Sequence, residues 1–484
     1  MLDNRLKACA DFVSGKGIAC DVGTDHAYLP AELVLTGKCS YVIASDINPK
    51  PLEFAENTIN KYNIQDKVKL ILSDGLREVP SDDVTDVIIA GMGGETIIDI
   101  IKNAEWLKNE VTLILQPMTK APELRKWLYA NGYKISQEKA VEDGKFIYTV
   151  MKCIYCGDSV KLLDLASVIG QLDVNDNIAR EYINRKSHKL EKIAEGLKNS
   201  GDIKGYAEKS KLAGLIGLLA LEKRLGRIYV YETLDRLYPF SHQEKWDNSG
   251  YLVGNRYRPV NKIMLSLDIT NDTVFEARAK GCDMIISHHP VIFEPLKSIN
   301  ETSVVYRLIQ NDISAICMHT NLDIAEDGTN GVILEKLSKR FKFYGEPEPF
   351  EELGNGLSLG KICTLEEEED TEKFGSVLKE IFGCNVIRFC NRKRYVKRIV
   401  FCSGSGGSML SEAMAKSCDT LITGDVKHDV WISAINNNIN LFDCGHFHTE
   451  NLVLEHLKNV LDANFPFIET VIAETSEDPV KYIK

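Results

Sequence analysis

The stretch Ile18-Ala-Cys-Asp21-Val-Gly23-Thr-Asp25-His26-Ala-Tyr28-Leu-Pro30 joins a short apolar run to a glycine turn and then to a helical pattern. The apolar run predicts a buried strand, and Gly23 permits the tight turn that brings the N-terminus of a helix to a ligand. A strand, a turn and a helix in this order are typical of the first unit of a parallel α/β sheet.

Short apolar runs and helical patterns continue to alternate from this stretch to Lys152, which predicts a doubly wound sheet. The spacer Glu142–Lys145 resembles a hairpin turn, so the last two strands are expected to be antiparallel neighbours. The predicted strands are residues 18–22, 41–44, 68–72, 87–90, 111–115, 133–138 and 146–152.

Small and acidic residues stand at the ends of the first four predicted strands. In open α/β sheets, ligands bind outside the carboxyl ends of the strands, where an acidic side chain can bind ribose hydroxyls and glycines admit the ligand to the backbone. One such acidic residue is usually a helix cap, but four clusters in register indicate a nucleotide site. The clusters are Asp21 with Gly23, Asp46, Asp74 with Gly75, and Gly91 with Met92 and Gly93.

The turn after the first strand lacks the Gly-x-Gly-x-x-Gly pattern that cradles a pyrophosphate. The residues that follow Gly23 are Thr24, Asp25 and His26. This difference favours S-adenosylmethionine over a nicotinamide dinucleotide as the cofactor.

Three strings of the first 225 residues resemble the bacterial tRNA 1-methyladenosine methyltransferases (TrmK-like), which act on adenine 22 of tRNA. They are Asp21-Val-Gly-Thr-Asp-His-Ala-Tyr-Leu-Pro30, Ile89-Ala-Gly-Met-Gly-Gly-Glu95 and Leu115-Gln-Pro117. The resemblance implies a Rossmann-like class I methyltransferase domain with a C-terminal helical hairpin. It also implies that the clusters above line an S-adenosylmethionine site, and that Asp25, His26 and Tyr28 lie near the methyl group.

The acceptor nitrogen N1 of adenine carries a lone pair, so positioning the base is expected to supply most of the rate. Asp25 is a candidate for stabilising the cation formed on the ring or for accepting a proton from the amino group. His26 is either a neighbour of the methyl group or a structural hydrogen-bonding histidine. A small molecule or a protein is the alternative acceptor.

Residues 158 to about 226 lose the strand pattern and predict two antiparallel helices joined at Asn199–Asp202. The first helix carries apolar residues from Ile178 to Leu197, and the second covers Ala207–Leu225. Residues 152–227 hold 14 Lys or Arg against 10 Asp or Glu in a chain of net charge −12. A polyanion such as tRNA is therefore expected to meet this segment, although a solvated helical face has the same composition.

Strand and helix patterns alternate again from Ile228 onward. An acidic run, Glu366–Asp370, is expected to begin a helix as a solvated first turn. The predicted strands are residues 263–267, 284–287, 314–319, 399–403, 420–423 and 440–443. The predicted helices are residues 270–280, 304–310, 331–339, 371–382 and 450–459.

Histidines and carboxylates cluster at the ends of three of these strands. His288 and His289 follow one strand, Asp323 follows another, and His446 with Glu450 follow a third. Imidazoles and carboxylates are the ligands of borderline divalent ions, and a carboxylate can bridge two ions about 3.5–4 Å apart. The pattern predicts a metal centre. His319 and His448 are candidates for supporting it, and His428 is a candidate for lining the cavity.

The second half resembles the dinuclear-metal-centre proteins known as GTP cyclohydrolase I type 2 homologues. The shared strings are Trp246-Asp-Asn-Ser-Gly250, Val253-Gly254, Ser287-His-His-Pro290, His319-Thr-Asn-Leu-Asp323, Gly404-Ser-Gly-Gly407, Ile422-Thr-Gly-Asp425 and Gly445-His446 through Glu450. The resemblance implies His288, His289, Asp323, His446 and Glu450 as ligands of two divalent ions, with Zn, Fe and Mn as candidates. It also implies a toroidal homohexamer.

The interpretation is a bifunctional cytoplasmic protein with three segments: a methyltransferase domain at 1–155, a helical hairpin at 156–226 and a dinuclear metal domain at 227–484. Thirteen scattered cysteines indicate reduced thiols, and no apolar run is long enough to span a membrane. GTP is a candidate substrate of the metal domain, because attack on the purine imidazole carbon suits such a centre. A phosphoester hydrolase and a metal-stabilised hexameric scaffold are the alternatives.

Overall fold

The computed structural model describes residues 2–221, 225–354, 357–481 and 483. The chain forms two compact units, Met1–Leu225 with Asn459–Ile468, and Gly226–Lys458 with Glu469–Lys484. The predicted α/β class is confirmed in both units. The division into three segments stays a prediction. Every helix among the described residues is too short or too polar to traverse a bilayer.

The first unit is a single sheet with helices along it, followed by a helical hairpin. Its strands are β1 Ile18–Val22, β2 Val42–Asp46, β3 Val68–Leu72, β4 Val84–Gly93, β5 Thr112–Thr119, β6 Tyr133–Asp143 and β7 Phe146–Tyr155. Its helices are α1 Asn4–Phe12, α2 Tyr28–Leu35, α3 Pro49–Tyr62, α4 Gly94–Lys102, α5 Ala121–Ala130, α6 Asp164–Ile169, α7 Asn177–Asn199 and α8 Ile203–Ala220, with a 3-10 turn at Glu105–Lys108.

The strand order of this sheet is β3-β2-β1-β4-β5-β7-β6. Strands β1 to β5 are parallel to their neighbours, and β7 runs antiparallel to both β5 and β6. The order reverses between β1 and β4, and a crevice for a ligand opens at such a switch point. All seven strands were predicted, as was the hairpin turn between β6 and β7.

The helical hairpin is confirmed with shifted ends. Helix α7 is capped by Asp176, whose carboxylate accepts a hydrogen bond from the amide of Ala179, and it ends at Asn199. Helix α8 begins at Ile203, earlier than predicted, because Asp202 caps it through the amide of Gly205. The helix ends at Ala220, before the predicted end at Leu225, and residues 222–224 of the predicted helix lie outside the described residues.

The second unit contains two sheets. Its strands are β8 Gly250–Val253, β9 Lys262–Ser266, β10 Met284–Ser287, β11 Ser314–Cys317, β12 Glu348–Gly354, β13 Leu357–Asp370, β14 Arg388–Cys390, β15 Tyr395–Phe401, β16 Thr420–Thr423, β17 Asn440–Asp443 and β18 Glu469–Ile472. The helices from Arg227 onward are α9 Arg227–Leu237, α10 Asn271–Ala279, α11 Val304–Gln310, α12 Thr320–Asp323, α13 Thr329–Ser338, α14 Thr371–Phe382, α15 Leu410–Ala415, α16 His428–Asn436, α17 His446–Glu450 and α18 Val453–Asn464, with 3-10 turns at Phe240–His242 and Gly407–Met409.

The two sheets have the strand orders β18-β9-β10-β11-β8 and β12-β13-β15-β16-β17-β14. In the first sheet β18, β9, β10 and β11 are parallel. In the second sheet β15, β16 and β17 are parallel. Three of these parallel strands, β10, β11 and β17, lead into the segments that carry the predicted metal ligands.

The prediction for the acidic run was wrong. Residues Glu366–Asp370 form the end of strand β13, where Glu369 pairs with Val396 of β15. A shift of register between Thr364 and Glu369 lets these acidic residues continue the strand beside its partner. Of these residues, Asp370 is the N-cap of α14, and its carboxylate accepts hydrogen bonds from the amides of Glu372 and Lys373.

A fully buried ion pair joins the sheet of the first unit to the start of its helical segment. Nη2 of Arg125 on α5 lies 2.6 Å from Oε1 of Glu138 on β6, and both side chains have no exposed surface. Arg125 Nη1 also donates to the carbonyl of Ser167 at 2.7 Å, and Glu138 Oε2 accepts from the amide of Gln171 at 2.8 Å. The pair therefore ties helix α6 and the approach to the hairpin to the sheet.

We expect Arg125→Met to lower the free energy of unfolding by about 3–5 kcal/mol, because it leaves the carboxylate of Glu138 buried without its partner. Urea denaturation of the full chain, followed by circular dichroism, measures the change. The control is Lys108→Met, which removes the exposed pair with Glu105 and should cost less than about 1 kcal/mol. Equal losses in the two variants would show that the buried pair does not anchor the helical segment.

Candidate functional site

The first strand ends in a turn that leaves room beside the backbone. The amide of Gly23 donates to the carbonyl of Ser45 at 2.7 Å, and its φ of +80° lies in the region that favours glycine. A Cβ at this position would overlap Cε of Met92. Gly23 and Met92, predicted from separate strings, are thus brought together at the switch point between β1 and β4.

Asp21 is buried at the end of β1 and lacks a cationic partner among the described residues. Burial raises the pKa of its carboxyl group to about 6, the hydroxyl of Thr24 opposes the shift, and Asp46 adds to it. A bound ligand that carries positive charge would supply the missing counter-charge. The sulfonium and ammonium groups of S-adenosylmethionine fit this requirement.

The other predicted cofactor residues lie at the carboxyl ends of their strands. Asp46 accepts a hydrogen bond from the amide of Asn48 at 2.7 Å, and Asp74 pairs with Arg77 at 3.0 Å. The amide of Gly91 donates to Oε1 of Gln116 at 3.1 Å. The two remaining residues are Gly75, with φ +62°, and Gly93, the last residue of β4.

The three residues predicted near the methyl group lie on the loop that leads into α2. His26 stacks on Tyr28 with ring centroids 5.2 Å apart and on Phe54 with centroids 5.1 Å apart. Asp25 lies 3.5 Å from Nε2 of His26, and 76% of its side chain is exposed. Tyr28 is also exposed. The surface thus carries an aromatic stack with a carboxylate beside it, and Phe54 was not foreseen because it lies on another helix.

A cavity of about 580 Å³ opens between the carboxyl end of β5 and the two hairpin helices. Tyr148 and Tyr182 contribute aromatic surface to it, and Nζ of Lys186 lies 4.7 Å from the centroid of the Tyr182 ring. Five lysines line the cavity against two acidic residues. These are Lys120, Lys126, Lys186, Lys189 and Lys209, with Glu123 and Asp164.

In the second unit, three strand ends bring the predicted metal residues together. His288 and His289 directly follow β10. Asp323 closes α12, the short helix after β11, where a loop was expected. His446 and Glu450 are the first and last residues of α17, so both lie on a single helical turn after β17. The helix predicted from Glu450 onward begins instead at Val453.

Glu450 is the centre of this cluster. Its Oε2 lies 2.9 Å from Nε2 of His289 and 2.9 Å from Nε2 of His446. Nε2 of His288 lies 3.5 Å from Oδ1 of Asp323 and 3.8 Å from Oε1 of Glu450. The five predicted ligands therefore form one contiguous group. Two overlapping sets have ligand atoms spaced for a metal ion, His288 with His289 and His319, and His289 with His446 and Glu450.

Each imidazole of the cluster is held at its other ring nitrogen. Nδ1 of His288 lies 2.8 Å from the carbonyl of Met318, and Nδ1 of His289 lies 2.9 Å from Asp268. Nδ1 of His446 lies 2.8 Å from Asp425, and Nδ1 of His319 lies 2.8 Å from Asp247. Metal-binding histidines are held in this way, which leaves Nε2 free to coordinate.

The carboxylates give the cluster a field that favours positive charge. Burial lowers the pKa of His289, but the carboxylates of Asp268 and Glu450 outweigh it and raise the pKa to about 10. Glu450 raises the pKa of His446 to about 9, against burial, with help from Asp425. The surrounding imidazoles lower the pKa of the Glu450 carboxyl in spite of its burial. A cation at this position would replace the protons.

Two buried atoms of the cluster fit a metal ion because they lack a hydrogen bond of acceptable geometry among the described residues. They are Nε2 of His288 and Oε2 of Glu450. Gly404, with φ +62°, keeps this space open, since a Cβ there would overlap Oε1 of Glu450. The imidazole and carboxylate donors suit a borderline divalent ion.

Two other histidines that the sequence placed near the metal centre are not part of the cluster. His428 is exposed at the start of α16 and belongs to neither set of ligand atoms. His448 lies 3.3 Å from Asp478 instead. The supporting carboxylates Asp268, Asp425 and Asp247 were not assigned a role from the sequence. A usable signal for Asp268 was its position just after β9, the strand next to β10.

Fold and site define a chain with a methyltransferase domain followed by a second α/β domain that carries a cluster of imidazoles and carboxylates. Residues 2–151 match the model of a methyltransferase domain. Residues 227–479 match the model of the Duf34/NIF3 (NGG1p interacting factor 3) family, and the chain belongs to this family.

Two curated relatives and one solved structure illustrate the two halves. The "GTP cyclohydrolase 1 type 2 homolog" of Campylobacter jejuni is 33% identical over 260 residues, which cover 52% of this chain and 98% of the relative. The "GTP cyclohydrolase 1 type 2" of Helicobacter pylori strain J99 is 33% identical over 266 residues, with 52% and 98% covered. Streptococcus pneumoniae Sp1610, a candidate tRNA (m1A22) methyltransferase, is 28% identical and covers 45% of this chain and 100% of its own, with a TM-score of 0.42.

The raised pKa of Asp21 predicts a pH dependence of stability. Because its pKa is higher in the folded state than the ordinary value of 3.8, stability falls as the pH rises from about 4 to about 6. At 1.36 kcal/mol per pKa unit, the raised pKa of Asp21 accounts for up to about 3 kcal/mol of this loss of unfolding free energy. We expect Asp21→Asn to abolish that part of the loss. Urea denaturation of the cofactor-free chain across this range measures the difference, with the exposed Asp66→Asn as the control. Parallel pH profiles for wild type and Asp21→Asn would contradict the expectation.

Proposed function

We propose that the first unit transfers a methyl group from S-adenosylmethionine to N1 of an adenine in tRNA, at position 22. One observation supports the cofactor: the buried carboxylate of Asp21, at the switch point of a methyltransferase domain, has no cationic partner within the described part of the chain. Asp46, Asp74 and the glycines at the neighbouring strand ends are proposed to bind the same ligand. The resemblance described above supplies the position in tRNA.

The lysine-lined cavity supports a nucleic-acid substrate. It begins at Pro117–Lys120, the carboxyl end of β5, which is the same edge of the sheet as the predicted cofactor residues. Lys189 and Lys209 bring positive charge from the two hairpin helices, and the half-buried Tyr148 offers aromatic surface. Phosphate contacts supply affinity and aromatic rings hold unpaired bases, so this combination suits a folded RNA.

S-adenosylmethionine, when bound, supplies an electrophilic methyl group. The chain itself is proposed to position the adenine, with the stack of His26 and Tyr28 holding the plane of the base and Asp25 facing its edge. Methylation places positive charge on the ring, and the carboxylate of Asp25 would stabilise that charge or accept a proton from the amino group.

Transfer of labelled methyl groups to unmodified tRNA, mapped by nuclease digestion and mass spectrometry, tests this proposal. We expect 1-methyladenosine at one position. The double variant Lys189→Glu/Lys209→Glu should raise the KM for tRNA at least about tenfold and reduce its salt dependence, since each lysine contacts phosphate. Affinity for S-adenosylhomocysteine, measured by calorimetry, should not change. Labelled product without 1-methyladenosine would instead indicate another acceptor.

The same assay tests Asp25. Asp25→Asn should lower kcat at least about tenfold and leave cofactor affinity intact, because the carboxylate acts on the base rather than on the cofactor. The exposed Asp66→Asn is the matched control. Loss of cofactor binding in Asp25→Asn would assign this residue to the cofactor site.

For the second unit we propose a dinuclear, metal-dependent hydrolase. The observation that carries it is the convergence of three imidazoles, those of His288, His289 and His446, each held at Nδ1, on the buried carboxylate of Glu450. His288, His289, Asp323, His446 and Glu450 are the proposed ligands. Divalent ions, when bound there, supply Lewis acidity. The relatives named as GTP cyclohydrolases make GTP the first substrate to try. A cytoplasmic location and a homohexamer belong to the same proposal.

We expect about two divalent ions per chain in purified wild type, measured by plasma mass spectrometry. Glu450→Gln should weaken metal binding at least about 100-fold, because it removes the charge shared by His289 and His446. Glu455→Gln, an exposed change on α18, is the control and should keep both ions.

GTP turnover by the metal-loaded chain, with His446→Ala as a control, then separates the candidate activities. Turnover that requires His446 would establish a GTP hydrolase. Full metal occupancy without turnover would exclude GTP as the substrate and leave the phosphoester hydrolase and the scaffold as the candidates. Loss of the hexamer on metal removal would favour the scaffold.

A further inference from the structure

Two large aromatic side chains lie exposed beside the imidazole cluster of the second unit. Trp246 is 59% exposed and Phe293 is 48% exposed, with ring centroids 6.1 Å apart. The ring of Trp246 also lies 5.9 Å from the ring of His319, edge to face. His319 in turn contacts the rings of both His288 and His289. An aromatic surface therefore continues directly into the candidate metal cluster.

One short segment builds both parts of this surface. Asp247 holds Nδ1 of His319 at 2.8 Å and also accepts hydrogen bonds from the amide and hydroxyl of Thr320. Asn248, the next residue, donates from Nδ2 to the carbonyl of Ile292 at 2.6 Å and so fixes the loop that carries Phe293. Trp246 precedes both. The segment thus orients the imidazole and the aromatic pair by neighbouring side chains.

Packing does not explain the exposure of these rings. Phe350, Phe374 and Phe442 of the same unit are fully buried. Phe275 and Phe389 are exposed like Phe293, but they lie outside the aromatic pair beside the cluster. A Trp side chain left mostly in water forgoes the stabilisation that its burial would provide. What distinguishes this Trp is its position beside the imidazoles and carboxylates, where a ligand of the cluster would cover it.

We propose that Trp246 and Phe293 form a stacking subsite for the planar base of a purine nucleotide whose anionic group is held at the metal cluster. This inference rests on the proposed metal centre. A base has a flat aromatic face that stacks on Trp and Phe whatever its substituents. A phosphate provides the hard oxygen donors that divalent ions accept. A purine nucleotide combines both features in one molecule, and its two-ring base offers a large stacking face.

The test compares two ligands that share a phosphate and differ by the base. Calorimetry measures the affinity of the full, metal-loaded chain for GMP and for ribose 5-phosphate, with S-adenosylhomocysteine saturating the first unit. We expect GMP to bind at least tenfold more tightly, which corresponds to about 1.4 kcal/mol. Trp246→Leu should remove most of this preference, and Phe293→Leu should remove part of it, both with unchanged metal content.

Tyr257→Leu is the matched control, because Tyr257 is an 83% exposed aromatic of the same unit that lies outside the pair. It should retain the full preference. Equal affinity for GMP and ribose 5-phosphate in a chain that holds two ions would overturn the subsite while leaving the metal centre in place. If the chain binds no ions but still prefers GMP, the stacking subsite stands and the proposed metal centre is wrong. A change in mass by light scattering in Trp246→Leu, without a change in the GMP preference, would assign the pair to an interface between copies and overturn the proposal.

Discussion

The second unit depends on one electrostatic constraint, which is the burial of the Glu450 carboxylate. A charged group in a protein interior is tolerated only when partners of opposite charge surround it. Here His289 and His446 lie on one carboxylate oxygen, and His288 lies near the other. Asp268 contacts Nδ1 of His289, and Asp425 contacts Nδ1 of His446, so both imidazoles are oriented with Nε2 toward Glu450. The cluster therefore consists of the imidazoles around Glu450 and of an outer set of carboxylates that orient those imidazoles.

This constraint also explains the arrangement of the strands. β10 and β11 belong to one sheet and β17 to another, and the residues that follow all three strands meet at Glu450. Within one sheet, parallel strands such as β10 and β11 place these residues at a common edge, and β17 contributes its residues from the second sheet. Gly404, after β15, completes the arrangement because any side chain there would displace the carboxylate. In the first unit β1 and β4 are likewise parallel neighbours, which places Gly23 next to Met92 near the end of β4.

Local sequence patterns predicted much of this architecture. All seven strands of the first sheet were predicted, and β10, β16 and β17 were predicted with their observed ends, because short apolar runs between turn residues specify buried strands. The acidic run at Glu366–Asp370 was misread, since its strand depends on pairing with β15, which no local pattern reveals. The support of His289 by Asp268 and the stack of Phe54 on His26 were also missed. Both join residues more than twenty positions apart, so periodicity does not reveal the contacts, although the position of Asp268 after β9 was a usable signal.

The order in which the cluster's residues occur in the chain has a consequence for synthesis. His288, His289 and His319 lie well before Glu450 in sequence. At about 5–20 residues per second, a ribosome needs on the order of ten seconds to pass from the last of these histidines to the carboxylate. During that interval the nascent chain displays imidazoles without the anion that orders them. A chain that stops short of Glu450 therefore carries the imidazole half of the cluster without the carboxylate on which it is assembled.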